Sequence, residues 1–260
     1  MQKLDSRLLD SFDPPAQSVA ARGIELAALQ DATGKRFRLD CADNGTAASL
    51  AKALSEAEPG PTNDGLRENI CRAVVNMTHE CPDAANSFTA AGGVEAIVSS
   101  VFETSRHEGT LRTACIAAAS LAAYSQAGKE ACVSAGVVAA IVRQLLEPRA
   151  YDPETECYAI LALGNIASCE EGELACVSCD APSAIVEVMK TTAHCGAMNY
   201  GCVALQNIAW LRGRWLASLA SVFDLFIRID AHCSPLFVSE QPTTSAFVVR
   251  PVPSLPCGAY

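Results

Sequence analysis

Ala162-Leu163-Gly164-Asn165-Ile166-Ala167 recurs as Ala204-Leu205-Gln206-Asn207-Ile208-Ala209, and more loosely as Val74-Val75-Asn76-Met77. Between these copies, Ala119-Ser120-Leu121-Ala122 keeps the place with Ser120 where the asparagine would stand. Positions 76, 120, 165 and 207 lie 44, 45 and 42 residues apart, a period that marks stacked supersecondary units rather than one globular core. A second column, Ile97, Ile141 and Ile185, repeats every 44 residues. A third is literal: Ala131-Cys132-Val133-Ser134 returns as Ala175-Cys176-Val177-Ser178.

Outward from these columns, each unit reads as three helices. Leu66 to Glu80 is a long amphipathic stretch, followed by Cys81-Pro82-Asp83, a short helix to Ala90, a turn at Gly92-Gly93 and a further helix to Phe102. The next unit runs through Glu108–Ser125, Gly128–Ser134 and Val137–Leu146 and stops at Pro148; the following one starts near Pro153 and passes an acidic turn, Glu170-Glu171-Gly172-Glu173. In the 260 residues, half apolar but only 6% aromatic, about five such units fit, the first degenerate and the last incomplete. Strands have little support, so the expectation is an all-α solenoid over 16–210.

Flanking segments break the pattern. Residues 1–15, ending in Asp13-Pro14-Pro15, match no repeat and are expected to form a flexible arm. Trp215, Leu219, Val222, Phe223 and Phe226 share a helical spacing that suits a capping helix over 211–230; the other reading is a truncated or mis-spliced array whose end happens to be apolar. Pro235, Pro242, Pro251, Pro253 and Pro256 punctuate an irregular tail over 231–260.

Several chemistries are disfavoured. A net charge of −10, from 19 Lys and Arg against 29 Asp and Glu, opposes a surface that must neutralise nucleic-acid phosphates. No run is long and apolar enough to span a bilayer or serve as a signal segment, so a cytoplasmic chain is expected, with the nucleus as the other compartment open to it. His79, His107, His194 and His232 are scattered, no nucleotide-binding glycine loop is present, and catalysis and cofactors have no candidate residues. Of the 13 cysteines, Cys71, Cys115 and Cys202 sit five residues before their anchors, as core residues would. Cys176-Val177-Ser178-Cys179 is a lone C-x-x-C that leaves a metal or redox protein as a weak alternative.

A three-helix unit of this length, with a Leu-x-Asn-Ile-Ala ending and an Ala-Gly-x-Val turn between helices, resembles the armadillo repeat of β-catenin and the importin-α carriers, over about residues 16–210. The resemblance implies a right-handed α-superhelix whose third helices line a concave groove, with Asn76, Asn165 and Asn207 bonding the main chain of an extended partner segment. The other role open to these asparagines is to hold neighbouring repeats together. On the same face come Asn69, Thr113, Tyr158 and Tyr200 seven residues earlier, Arg72, Ile116, Leu161 and Val203 four earlier, and His79, Ala123, Ser168 and Trp210 three later. Arg72 makes that face polar at one end; Tyr158, Tyr200 and Trp210 offer an apolar anchor patch or pack into the core. Importin-α carriers have a tryptophan four residues before the asparagine and this chain does not, which disfavours a nuclear-import carrier. The expected function is therefore a non-catalytic scaffold binding a protein segment with basic or apolar anchors. The alternative is a structural protein that self-associates through its apolar C-terminal cap.

Overall fold

The computed structural model describes residues 14–28, 31–146 and 152–210; the expected capping helix and tail at 211–260 lie outside them. The helices are α1 (Pro14–Ala28), α2 (Asp31–Asp43), α3 (Thr46–Glu56), α4 (Asp64–Thr78), α5 (Pro82–Ala90), α6 (Gly93–Ile97), α7 (Glu108–Tyr124), α8 (Gln126–Ser134), α9 (Val137–Leu146), α10 (Pro153–Ile166), α11 (Glu170–Ser178), α12 (Ala181–Thr191) and α13 (Cys195–Trp210). A 3-10 turn at Pro61–Asn63 precedes α4, and α6 runs on as a π-helical turn over Val98–Phe102. No strand occurs among the described residues.

Three rows of helices result. The long helices α1, α4, α7, α10 and α13 pack successively against one another; α2, α5, α8 and α11 form a second row, and α3, α6, α9 and α12 a third. Four complete units of short, middle and long helix therefore follow a lone long helix, α1. Pro14 and Pro15, expected in a flexible arm, are the first residues of α1, where proline's missing N–H costs nothing. The Ile97, Ile141 and Ile185 column is at most 1% exposed. Each such side chain contributes roughly 1.5–3 kcal/mol of burial, so the core is continuous from unit to unit.

The turn between short and middle helices needs one residue in the left-handed region. Gly45 (φ 80°), Gly92 (75°) and Gly136 (78°) supply it in three units, and Asp180 (59°) in the fourth. Aspartate tolerates this region better than most residues because its short side chain bonds locally, here accepting from Ser183 Oγ at 2.7 Å. Asp180→Gly is expected to raise stability by about 0.5–1 kcal/mol by removing Cβ strain. A urea-unfolding midpoint that stays put or falls would show that the Ser183 bond outweighs the strain.

Long helices start on a column of capping residues. Asp152 accepts hydrogen bonds from the amides of Glu154 and Thr155, both 2.8 Å. His107 and His194 do the same through Nδ1, each at 3.3 Å, from Thr110 N and Ala197 N. These satisfy helix N-terminal donors that would otherwise lack partners.

Candidate functional site

Along the long helices one stripe stays partly open, except that on α10 Leu161, expected on the same face, is 1% exposed and belongs to the core. It comprises Glu68, Asn69, Arg72 and His79 on α4 and its end; Arg112, Thr113, Ile116 and Ala123 on α7; and Tyr158 on α10 with Ser168 beyond it. Tyr200 and Val203 continue it on α13. On α1, the residues Val19, Arg22 and Leu26 extend the same row, with Val19 71% and Leu26 55% exposed. Stacking alone explains this pattern: each long helix is covered on two sides by its neighbours and from behind by its own unit.

The anchor residues sit at the bottom of this row, and all three asparagines are buried. Asn165 Nδ2 donates to the Ala119 carbonyl at 3.1 Å, and Asn207 Nδ2 donates to the Gly164 carbonyl at 2.9 Å. Each carbonyl belongs to the residue just before the anchor of the preceding unit. Ser120 is too short for this span. Its hydroxyl meets Thr78 Oγ1 at 2.9 Å, and Thr78 in turn donates to the Val75 carbonyl at 3.3 Å, the residue just before Asn76. The result is a ladder in which Ser120, Asn165 and Asn207 each reach the previous unit. Of the two roles open from the sequence, Asn165 and Asn207 here have the geometry of holding repeats together, through helix carbonyls rather than loops. Asn165→Ala or Asn207→Ala should cost about 1–3 kcal/mol each by leaving a buried carbonyl without its donor; an unchanged thermal midpoint for either variant would remove the ladder from the stability account.

Asn76 differs. Its side chain is 4% exposed and makes no hydrogen bond, and Oδ1 is buried without a partner. One turn before it, Arg72 is paired across to Glu25 Oε1 on α1 at 3.0 Å and along α4 to Glu68 Oε1 at 3.6 Å. Asn69 Nδ2 donates to Ser18 Oγ at 2.6 Å. Sequence reading missed Glu25 and Ser18, because α1 carries leucine at the anchor place and its register was hidden. The available signal was Asp13-Pro14, which repeats the Asp152-Pro153 that opens α10.

Further along, Tyr158 and Tyr200 are half-buried, packing one side against the core and leaving the other open. Desolvation pushes the Tyr200 hydroxyl up, with Cys157 adding to the shift, so it stays a neutral donor at physiological pH. Trp210 ends α13; its side chain lies outside the described residues. His79 and Tyr124 close the far edge, with Tyr124 Oη 3.0 Å from His79 Nδ1 and rings edge to face at 5.4 Å.

Arg112 on α7 bridges to α10 through Asp152 (3.0 Å) and Glu154. Burial alone would raise the Asp152 carboxyl; the Thr155 amide, Arg112, Glu108 and the Glu154 amide outweigh it, so Asp152 titrates below the usual range. A depressed carboxyl stabilises the fold above its unfolded pKa, and that contribution is lost as pH falls through the folded value. Asp152→Asn should therefore lower stability at neutral pH and converge on the wild type at acid pH, which flattens the acid limb of the stability profile; an acid limb as steep as the wild type's would exclude Asp152 as its source.

The thiols are placed as packing groups. Burial pushes Cys71, Cys115 and Cys132 up to about 12, and Cys176, of the C-x-x-C, is raised by the same cause. They remain protonated and poor ligands at neutral pH. No helix among the described residues is long and apolar enough to cross a membrane.

No protein-family model matches the chain, and no curated protein sequence does so either. Solved structures do. An engineered protein is 25% identical with a TM-score of 0.71, over 87% of this chain and 86% of that one. A designed armadillo repeat protein in complex with the peptide (KR)4 is 19% identical with a TM-score of 0.73, over 88% of this chain and 92% of that one. A computationally designed armadillo repeat protein for modular peptide recognition gives the same figures. With its three-helix units, its period and its row of long helices, the chain has the fold of an armadillo-type α-solenoid.

Proposed function

We propose that the chain is a non-catalytic binding module that holds an extended segment of another protein across its row of long helices. The carrying observation is that the place seven residues before the anchor, held by Asn69, Thr113, Tyr158 and Tyr200, stays partly open on α4, α7, α10 and α13 while the anchors beneath it are buried. A repeated surface of this kind suits a ligand that advances by one contact per unit. The structural neighbours named for peptide recognition agree with this reading. In it, Arg72 and Asn76 contact the partner at the α4 end, and Tyr158, Tyr200 and Trp210 receive apolar side chains at the other; rigid aromatics suit that role.

The test is selection of a random-sequence peptide display library on the full chain, followed by affinity measurement with Tyr158→Ser/Tyr200→Ser. These half-exposed positions test binding better than Asn165 or Asn207, whose loss weakens the solenoid itself. Peptides that bind the wild type and fail on a folded double variant support the reading. No enrichment from the library, or equal binding by the variant, defeats it.

A further inference from the structure

Each later long helix lays one face on the long helix before it, and α1 carries the same face uncovered. Asn165 reaches the carbonyl of Ala119, one place short of its own in the preceding unit, and Asn69 meets Ser18 in the same way. That offset fixes Leu26 as the anchor place of α1. Asn76, Ser120, Asn165 and Asn207 hold this place on the other long helices and are at most 4% exposed, whereas Leu26 is 55% exposed. The cause is plain: no long helix precedes α1 among the described residues. Val19 on the same face is 71% exposed, and Leu39 on α2 is 40% exposed. Three of the four exposed large hydrophobic side chains among the described residues thus lie on the first two helices, a concentration that marks an interaction surface rather than scatter.

The α1–α4 junction shows what fits there. Four places before its anchor, α4 carries Arg72, which pairs back to Glu25 on α1 at 3.0 Å. Four places before Leu26 stands Arg22, exposed and in no ion pair with any described residue. Repetition therefore sets a cation, between two apolar side chains, where a carboxylate on a preceding helix would meet it. A second copy of this chain supplies no such carboxylate. Two-fold pairing through α1 brings Arg22 against Arg22, and head-to-tail stacking offers it Gln206, which holds on α13 the place that Glu25 holds on α1.

We infer that the amino-terminal end of the solenoid docks an α-helix of another protein, stacked on α1 as α1 is stacked on α4. The partner is an acidic amphipathic helix: a Glu or Asp pairs with Arg22, and apolar residues one turn to either side cover Val19 and Leu26. This goes beyond the groove function and stands without it, since the groove takes an extended segment and the end face takes a helix.

The probe is a display library of amphipathic helices about four turns long, randomised on one face and selected on the full chain. Selection should enrich helices in which an acidic residue is flanked by apolar ones at helical spacing. Arg22→Glu should weaken a selected helix about tenfold or more. Changing the acidic residue of that helix to Lys should restore binding to Arg22→Glu and remove it from the wild type. Tyr158→Ser/Tyr200→Ser should bind the helix unchanged, which separates this surface from the groove. Leu26→Cys, followed by peptide mapping, should react with a maleimide in the free chain and be protected by the selected helix. No enriched helix, equal binding by Arg22→Glu, or no rescue on charge reversal overturns the inference. Protection of Leu26→Cys in the free, monomeric chain overturns it too, because the chain's own residues would then cover the face. A concentration-dependent dimer that Arg22→Glu alters would give the face to a second copy instead.

Discussion

Gly172→Ala is expected to lower the unfolding free energy by about 3 kcal/mol or more, because overpacking against backbone cannot be relieved by a rotamer change. A Cβ at Gly172 would point into the Ile166 carbonyl oxygen, well inside contact distance, at the turn from α10 to α11. The same column holds Gly128, whose added Cβ would lie 2.5 Å from the Leu121 carbonyl oxygen, and Ala84. The anchors explain why Gly172 is the tighter case. Asn165 to Gly172 is seven residues, whereas Ser120 to Gly128 and Asn76 to Ala84 are eight. One residue fewer draws α11 onto the end of α10. Gly201→Ala is the internal control, since its Cβ meets the flexible Met189 thioether instead of backbone. Urea unfolding followed by circular dichroism decides it: a Gly172→Ala loss no larger than that of Gly201→Ala would mean that α11 shifts freely.

Arg67→Met should cost about 3 kcal/mol, the scale for removing one member of a buried ion pair. Arg67 is fully buried. Its Nη2 donates to the Ala57 carbonyl at 3.1 Å and to the Glu58 carbonyl, and Nη1 meets Asp64 Oδ1 at 3.3 Å. One guanidinium thus ties down the segment that leaves α3 and starts α4. Asp64 carries the effect into the next unit, since Ser105 Oγ donates to its Oδ1 at 2.8 Å and Thr110 Oγ1 to its carbonyl at 3.2 Å. Methionine fills much of the volume, so the loss reports on polar contacts rather than on a cavity. Proteolytic cleavage within 57–63 should speed up in parallel. Wild-type stability together with wild-type cleavage would show that water replaces the guanidinium without penalty.

Much of this fold was legible because repetition averages out local ambiguity. The anchor and isoleucine columns located the long and middle helices, and the Gly92 and Gly136 turns marked the breaks between short and middle ones. What stayed hidden were departures from the column. Asp180 fills a glycine place and reads as an ordinary acidic residue until its backbone angle is known. The leading helix is legible from the helical spacing of Val19, Ile24 and Leu26, but it shows leucine where its fellows show asparagine or serine, so the periodic pattern does not fix its register. The site was less legible than the fold for a related reason. A period says that Asn76, Asn165 and Asn207 are equivalent in place, but their hydrogen bonds depend on what the previous unit presents. For Asn165 and Asn207 that is a helix carbonyl; Asn76 makes no such bond. Glu25 could not be paired with Arg72 before the register of α1 was fixed.

The ladder also sets how the array should come apart under tension. Its rungs differ in kind: direct amide-to-carbonyl bonds join α7 to α10 and α10 to α13, a two-hydroxyl relay joins α4 to α7, and the α1–α4 junction has no anchor bond at all. In a linear array, where each unit touches only its neighbours, strain applied at the two ends is felt in full by every junction and released at the weakest. The two carboxy-terminal junctions carry direct anchor bonds, while the first relies on the Arg72–Glu25 pair and the Asn69–Ser18 bond, so the amino-terminal junction is expected to be the compliant end of the spring.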